Sequence, residues 1–278
     1  MAYDPHVQIG TSGWMYKHWN GTFYPEKHGG DKESYLGFYA RHFRTVELNN
    51  SFYGLPQRQT LKMWREIAPE DFLFAVKASR YITHIRRLNT PRASLDKFFR
   101  RVAHLKEKLG PVLFQLPPNW HVNLGRLETF LKALPKGRDY TMEFRDPSWH
   151  CEDVYGLLEK YGVSFCIFQL ARFLSPIRVT SKMVYVRLHG PTKEKYKGSY
   201  SHRQLEEWAT RIRAWRKEKR SVYVYFDNDQ AAYAVRNAAE LNVLLGQETG
   251  GRSVDVKKKK NLPEYNPDAA RWNFDRAA

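Results

Sequence analysis

Eight short runs of β-branched and aromatic residues recur along the chain, most of them separated by a stretch long enough for one helix. They run from His6 to Gly10, Thr45 to Asn50, Phe72 to Ser79, Pro111 to Leu116, Tyr140 to Arg145, Ser164 to Gln169, Met183 to His189 and Val222 to Asp227. A strand that returns parallel to its predecessor needs a crossover of about a dozen residues, and a helix supplies it. The alternation therefore predicts a parallel sheet, and eight units is the number that closes on itself and leaves no edge. The expected fold is α/β, a (β/α)₈ TIM barrel. An open doubly wound sheet is the rival, but no GxGxxG follows the first run to open a dinucleotide site.

The intervening helices show in their apolar faces. Leu95, Phe98, Phe99, Val102, Leu105 and Leu109 form one continuous stripe, with Thr90 as expected N-cap, Pro91 at the first helical position and Gly110-Pro111 as the stop. Leu205, Trp208, Ala209, Ile212 and Trp215 form another before the eighth run. Leu170 to Lys182 is too short and irregular for a helix, so the sixth unit is predicted to be degenerate. Past about Leu245 the periodicity stops. The expected division is a barrel domain over 1–246 and a polar, loosely ordered tail over 247–278.

The 278 residues, 42% hydrophobic and 15% aromatic, provide enough apolar surface for a sizeable core. The N-terminal MAYDPHVQIG lacks the basic and apolar regions of a leader, and no apolar run approaches membrane-spanning length. Cys151 and Cys166 stand apart, without the spacing of a zinc site or disulfide framework. A cytoplasmic protein with no membrane partner is expected. The formal charge is +17, and 247–278, with 7 basic and 5 acidic residues, supplies only 2 of it. Such a field attracts phosphorylated metabolites or nucleic acid, although a basic surface with no ligand has the same composition. Arg211 to Arg220 and Lys257 to Lys260 read as solvated charge runs.

Side chains two residues apart on a strand share a face. Glu47 and Asn49, Lys77 and Ser79, Glu143 and Arg145, and Arg187 and His189 form such pairs at the carboxyl ends of four runs. Gln115 and Asp227 extend the set. Barrel enzymes bind ligands at that end, and charges deeper inside would lack water. Lys77, Arg145 and Arg187 predict an anion, a phosphate or carboxylate. Glu47 and Glu143 are candidate general base and acid, and His189 the candidate proton shuttle, because a free imidazole titrates near neutrality. The plainer reading of any one pair, such as Glu143 with Arg145 or Glu47 with Lys77, is structural ion pairing. A metal reading takes Glu47, Glu143, His189 and Asp227 as ligands for a divalent ion. No HxH, HExxH or CxxC supports it and neighbouring cations oppose it, so no cofactor is expected. Loop aromatics, namely Trp14, Trp149, Trp19, Phe52 and Tyr53, either stack on a base or sugar or cap the core. The basic and aromatic segment Arg80 to Arg87 is placed to follow a phosphate backbone.

Seven segments carry a resemblance: GTSGW at 10–14, VELNNSFY at 46–53, FAVKASRYITH at 74–84, GPVLFQLPP at 110–118, EFRDPSW at 143–149, YVRLHG at 185–190 and YFDND at 225–229. In this order, over about residues 7 to 245, the chain resembles the YecE-like family. The resemblance implies a (β/α)₈ barrel with a pocket of Trp14, Glu47, Asn49, Lys77, Gln115, Glu143, Arg145, Arg187, His189 and Asn228. Gln169 and Asp146 depart from the family pattern, which puts any role for those positions in doubt. Through likeness of the family to sugar isomerases and endonuclease IV-like barrels, it implies an enzyme, a hydrolase or isomerase, without fixing the substrate. The function expected is binding of a phosphorylated or nucleic-acid-derived anion with acid/base or hydrolytic chemistry. The other readings are a sugar isomerase-like enzyme on a small ligand and a non-catalytic nucleic-acid binder.

Overall fold

All eight sequence runs are strands in the computed structural model, which describes residues 3–26, 34–90 and 92–247. They are β1 (Val7–Thr11), β2 (Thr45–Leu48), β3 (Leu73–Lys77), β4 (Leu109–Gln115), β5 (Tyr140–Glu143), β6 (Ser164–Leu170), β8 (Met183–Leu188) and β9 (Ser221–Phe226). A two-residue strand, β7 (Phe173–Leu174), folds back antiparallel on β6 and was not read from the sequence. The parallel order β1-β9-β8-β6-β5-β4-β3-β2 forms a nearly closed barrel. Around it lie α1 (Tyr35–His42), the single turn α2 (Asn50–Tyr53), α3 (Arg58–Ile67), α4 (Arg92–Val102), α5 (Leu124–Ala133), α6 (Glu152–Tyr161), α7 (His202–Lys217) and α8 (Tyr233–Leu244). Between β6 and β8 there is no helix, only the β7 hairpin, as the irregular sequence there predicts.

The barrel closes where β1 meets β2. Past the end of β1, Ser12 bridges to Glu47, while lower down the Tyr39 hydroxyl is wedged between the strands. It accepts from the Thr11 amide at 3.0 Å and the Thr11 hydroxyl at 2.9 Å, and donates to the Thr45 carbonyl at 3.1 Å. A side-chain hydroxyl thus replaces ladder bonds that the seam would otherwise leave unmade. The approach requires Gly10, because a Cβ there would lie 2.2 Å from the Thr45 carbonyl oxygen.

One parity of each strand packs under the helices. Val46, Leu48, Phe74, Val76, Phe114, Met142, Phe144, Ile167, Val184, Val186, Val222 and Val224 are buried there against helix faces that include Leu205, Trp208, Ile212 and Trp215. The other parity fills the barrel. Ala75, Leu113, Cys166, Met183, Tyr185 and Tyr225 form a small apolar plug, interleaved with buried Thr45, Thr141 and Ser164. Thr45 and Tyr225 share a 2.6 Å hydrogen bond and Ser164 donates to the Met183 carbonyl, so the interior tolerates these two hydroxyls because they are paired, whereas the Thr141 hydroxyl finds no partner among the described residues.

The continuous helix expected from Leu95 to Leu109 is broken. Helix α4 stops at Val102, a 3₁₀ segment spans Ala103–Lys108 with Lys106 at φ 50° and ψ −125°, and Leu109 and Gly110 already belong to β4. Lys108 supplies the reason, since its ammonium donates to the Arg65 and Ala68 carbonyls at 2.6 and 2.7 Å and so caps α3. That tie is incompatible with another helical turn. The Thr90 hydroxyl is buried with no hydrogen-bond partner, so it does not cap α4. Pro91 lies outside the described residues, as do the tail over 248–278 and its Lys257 to Lys260 run. Gln247, expected in the tail, is buried and accepts from the Asp4 amide at 3.1 Å. Among the described residues no helix is long and apolar enough to cross a membrane.

Candidate active site at the barrel mouth

Parallel strands deliver their last inward-facing residues to one layer at the mouth. Here that layer is charged: Glu47 from β2, Lys77 from β3, Glu143 and Arg145 from β5 and just beyond, Arg187 and His189 from β8 and just beyond, and Asp227 after β9. Glu47, Glu143 and His189 are 0% exposed and Arg187 is 1% exposed, so each must find a partner or be strongly destabilising.

Arg187 is the hub. Its Nη2 lies 2.7 Å from Glu47 Oε1, and its Nε also donates to Glu47. Nη1 reaches Glu143 Oε2 at 2.8 Å, and Nη2 also reaches Asp227 Oδ2 at 3.2 Å. The planar fork of donors is what lets one cation hold three carboxylates. Glu47 is completed by the Tyr185 hydroxyl at 2.7 Å and the Ser12 hydroxyl at 2.8 Å. Arg145 closes on the other oxygen of Glu143, Oε1. Burial alone would raise the Glu143 pKa, but Arg145 and Arg187 hold it well below the usual carboxylate range. The expected structural pair Glu143–Arg145 is present, whereas Glu47 pairs with Arg187 in place of Lys77.

His189 differs from its expected role. Its Nε2 is met by Arg145 Nη2 at 3.0 Å and by Arg187 Nη1 at 3.2 Å. Guanidinium groups only donate, so Nε2 is an acceptor and the proton sits on Nδ1, which lies 2.9 Å from Asp227 Oδ2. Burial and the two arginines push the imidazolium pKa well below the ordinary histidine value. At neutral pH the ring is therefore neutral, and a shuttle that ionises near pH 7 is not what this environment makes. Asp227 moves the other way, since burial raises its pKa against the pull of Arg187 and Lys77. Long-range ¹H–¹⁵N spectra are expected to show an unprotonated Nε2 and protonated Nδ1, unchanged from about pH 5.5 to about pH 7.5. A ring titrating inside that window would contradict the assignment.

Lys77 stands apart from these mutually paired charges. Among the described residues its ammonium makes no hydrogen bond or ion pair, and lies 4.2 Å from the centroid of Phe52. Burial first and Arg187 second bring its pKa down to about 8. Behind Phe52 stands His84, pushed down to about 4 by burial and Lys77. Arg145 spends Nε on Glu143 and Nη2 on His189, lies over the Phe168 ring at 4.7 Å and keeps Nη1 for other contacts. Gln115 is buried with its amide on the Leu116 carbonyl, and Asn49 holds a buried Oδ1 without a partner.

Two expected site residues lie elsewhere. Trp14 is buried edge-to-face against Trp64, 5.0 Å away, on the helix side of the sheet. Asn228 turns its amide to the Gly198 carbonyl and to Asn237 Oδ1, pinning the loop that follows β8. Trp149 stacks on Phe144 and Trp19 is fully buried, so both cap the core. Asp146 caps a turn by accepting from the Ser148 amide. Ser12, Tyr185 and Tyr196, whose ring lies 5.4 Å from His189, belong to the mouth but carry no charge to draw notice in the sequence. The parity of Tyr185 with Arg187 was the available signal. The metal set is not assembled. Glu47, Glu143 and Asp227 turn to the Arg187 guanidinium, and among the described residues no three acidic, histidine or cysteine side chains are arranged to hold an ion.

Fold and mouth together define a (β/α)₈ barrel with an arginine-centred charge cluster at the strand carboxyl ends. The chain belongs to the family described as Protein of unknown function DUF72, whose model matches residues 8–263 and so extends past the motifs into the tail. It is 26% identical over 277 aligned residues to the UPF0759 protein YunF of Bacillus subtilis, covering 88% of this chain and 96% of that one. To the UPF0759 protein YecE of Escherichia coli it is 34% identical over 112 residues, 40% of this chain and 41% of the relative, in agreement with the YecE-like resemblance. A DUF72 family protein from Thermotoga maritima superposes with a TM-score of 0.78 at 27% identity, over 87% of this chain and 99% of the other.

Proposed function

We propose that the mouth binds a phosphorylated anionic ligand, with Lys77 and Arg145 as the cations that meet it and the Asp227–His189 pair handling a proton. The observation that carries this reading is the Lys77 ammonium, which has no hydrogen-bond or ion-pair partner among the described residues, beside a cluster whose other charged groups are paired with one another. A half-buried cation without a partner is a cost in the free protein that a bound anion would offset. Glu47 and Glu143 are assigned positioning roles, because their oxygens are occupied and Glu143 stays ionised. Asp227, with its raised pKa and 14% side-chain exposure, is the better base or acid than either.

The test is calorimetric titration with inorganic phosphate at low salt. Lys77→Met is expected to weaken binding about tenfold or more, the scale of one charge-assisted contact. Since the lowered pKa removes the charge as pH rises through about 8, wild-type affinity should fall across that value, well before a free lysine near 10.5 would lose its charge. Equal affinity in both proteins would sink the reading.

A second reading, a nucleic-acid strand, is favoured by the loop after β3. There Arg80, Tyr81, Ile85, Arg86 and Arg87 are all exposed on a π-helical turn over Tyr81–Ile85, with buried Ile82, Thr83 and Leu88 as its anchor. Bases can stack on such aromatics while phosphates meet the arginines. The same titration run with a short single-stranded oligonucleotide distinguishes the readings, since the strand should bind tighter than phosphate with a steeper salt dependence.

A further inference from the structure

We propose that the amine of Lys77 is a nucleophile that forms an imine with an aldehyde or ketone carrying a phosphate group. This rests on the anion-binding reading in one respect, that the substrate's charged group is held beside Arg145. It goes beyond that reading by giving Lys77, which meets a free anion directly, the carbonyl carbon when the phosphate is carried on a longer substrate and held by Arg145.

Three features of the mouth set this lysine apart from one that serves only as a charge. Its nitrogen lies 4.2 Å from the centroid of Phe52, a face that holds an ammonium more weakly than a carboxylate would and, offering no hydrogen-bonding atom, leaves the lone pair unblocked once the proton has gone. Among the described residues no carboxylate is close enough to pair with it, because Glu47, Glu143 and Asp227 are all drawn to Arg187. The cations nearest in influence, Arg187 foremost, cannot themselves lose a proton, so relief of their repulsion falls on Lys77. An ordinary surface lysine such as Lys193 or Lys195, exposed on the loop after β8, has none of these features.

The step balances without any other reactant. The nitrogen lone pair forms the new C–N bond while the carbonyl π pair moves to oxygen, which takes a proton as the nitrogen releases one. The carbinolamine then loses its hydroxyl with a second proton as water, and the C=N bond forms. Asp227 is the group suited to give and take those protons. Its pKa is raised, and it is near enough to Lys77 for each to shift the other's titration. His189 keeps its proton on Nδ1, which lies 2.9 Å from Asp227 Oδ2 without the alignment of a hydrogen bond and is left unsatisfied among the described residues. Charge also favours the product, because the iminium retains the positive charge of the ammonium beside the bound phosphate.

The experiment incubates the full-length protein with dihydroxyacetone phosphate and sodium cyanoborohydride near pH 7.5, then maps the reduced adducts by peptide mass spectrometry. Lys77 is expected to be modified about tenfold or more faster than Lys193 in the same sample, the advantage of a larger neutral fraction after allowing for lower intrinsic nucleophilicity. Excess inorganic phosphate should suppress labelling of Lys77 and leave Lys193 unchanged. Labelling of Lys77 no faster than Lys193 overturns the imine; phosphate titration of the same preparation then shows whether the anion site has failed as well. Equal rates with dihydroxyacetone and with its phosphate would overturn the assigned substrate class.

Discussion

Replacing Arg187 with methionine is expected to cost about 3–5 kcal/mol of folding stability, most of the margin of an ordinary domain. The size follows from what is left behind. Arg187 is 1% exposed and holds Glu47, Glu143 and Asp227 together. Without it Glu143 keeps Arg145 and Asp227 keeps its 14% side-chain exposure, but fully buried Glu47 retains only the Tyr185 and Ser12 hydroxyls among the described residues. The uncompensated charge of Glu47 is therefore the main penalty, and it has a pH signature. Deprived of its cation, a buried carboxylate takes a proton more readily, so the deficit of the variant should shrink as pH falls from about 8 to about 5. Adding Glu47→Gln should recover part of the loss by the same logic. Urea denaturation of the single and double variants at both pH values measures this. A penalty below about 1 kcal/mol would mean that the cluster is not the buried network described.

Gly10→Ala is the second large effect, and its cause is space alone. The added Cβ would lie 2.2 Å from the Thr45 carbonyl oxygen, a backbone atom held by its own strand, and 3.0 Å from the Tyr39 hydroxyl. Either the β1–β2 seam opens or β1 shifts and takes the Ser12–Glu47 contact with it. A loss of about 2–4 kcal/mol is expected, as for other overpacked sites without freedom to relax. Thermal melts would detect it as a drop of several degrees, whereas an unchanged melting temperature would show that the barrel is not closed at Gly10.

Much of this molecule was legible because parallel strands buried on both faces are hydrophobic runs, and runs are what a sequence displays best. Every barrel strand lay within two residues of its expected bounds, and the missing sixth helix showed as a lack of periodicity. The α4 stripe misled because Leu105 and Leu109 do pack inward at helical spacing, yet the tie of Lys108 to the end of α3 decides the backbone. A contact between residues about forty apart leaves no local trace. The charged layer was readable from strand parity, which selected Glu47, Lys77, Glu143, Arg145, Arg187, His189 and Asp227 together. Which of them pair was not, since Glu47 reaches across the barrel to Arg187 and not to Lys77 on the neighbouring strand. The roles changed accordingly. His189 lost its titration near neutrality to burial and two arginines, Glu143 became a fixed anion, and Lys77 and Asp227 are the groups proposed to react. Trp14 and Asn228, carried by motif resemblance, serve the core and a loop.

The central claim is that an anion belongs between Lys77 and Arg145. A crystal structure of the protein soaked in tungstate, a tetrahedral dianion with strong anomalous scattering, tests it most directly. The expected result is one peak at the barrel mouth within about 4 Å of both Lys77 Nζ and Arg145 Nη1, lost in Lys77→Met crystals grown the same way. A mouth without density, while tungstate occupies the Arg80 to Arg87 loop or the outer surface, would contradict the account.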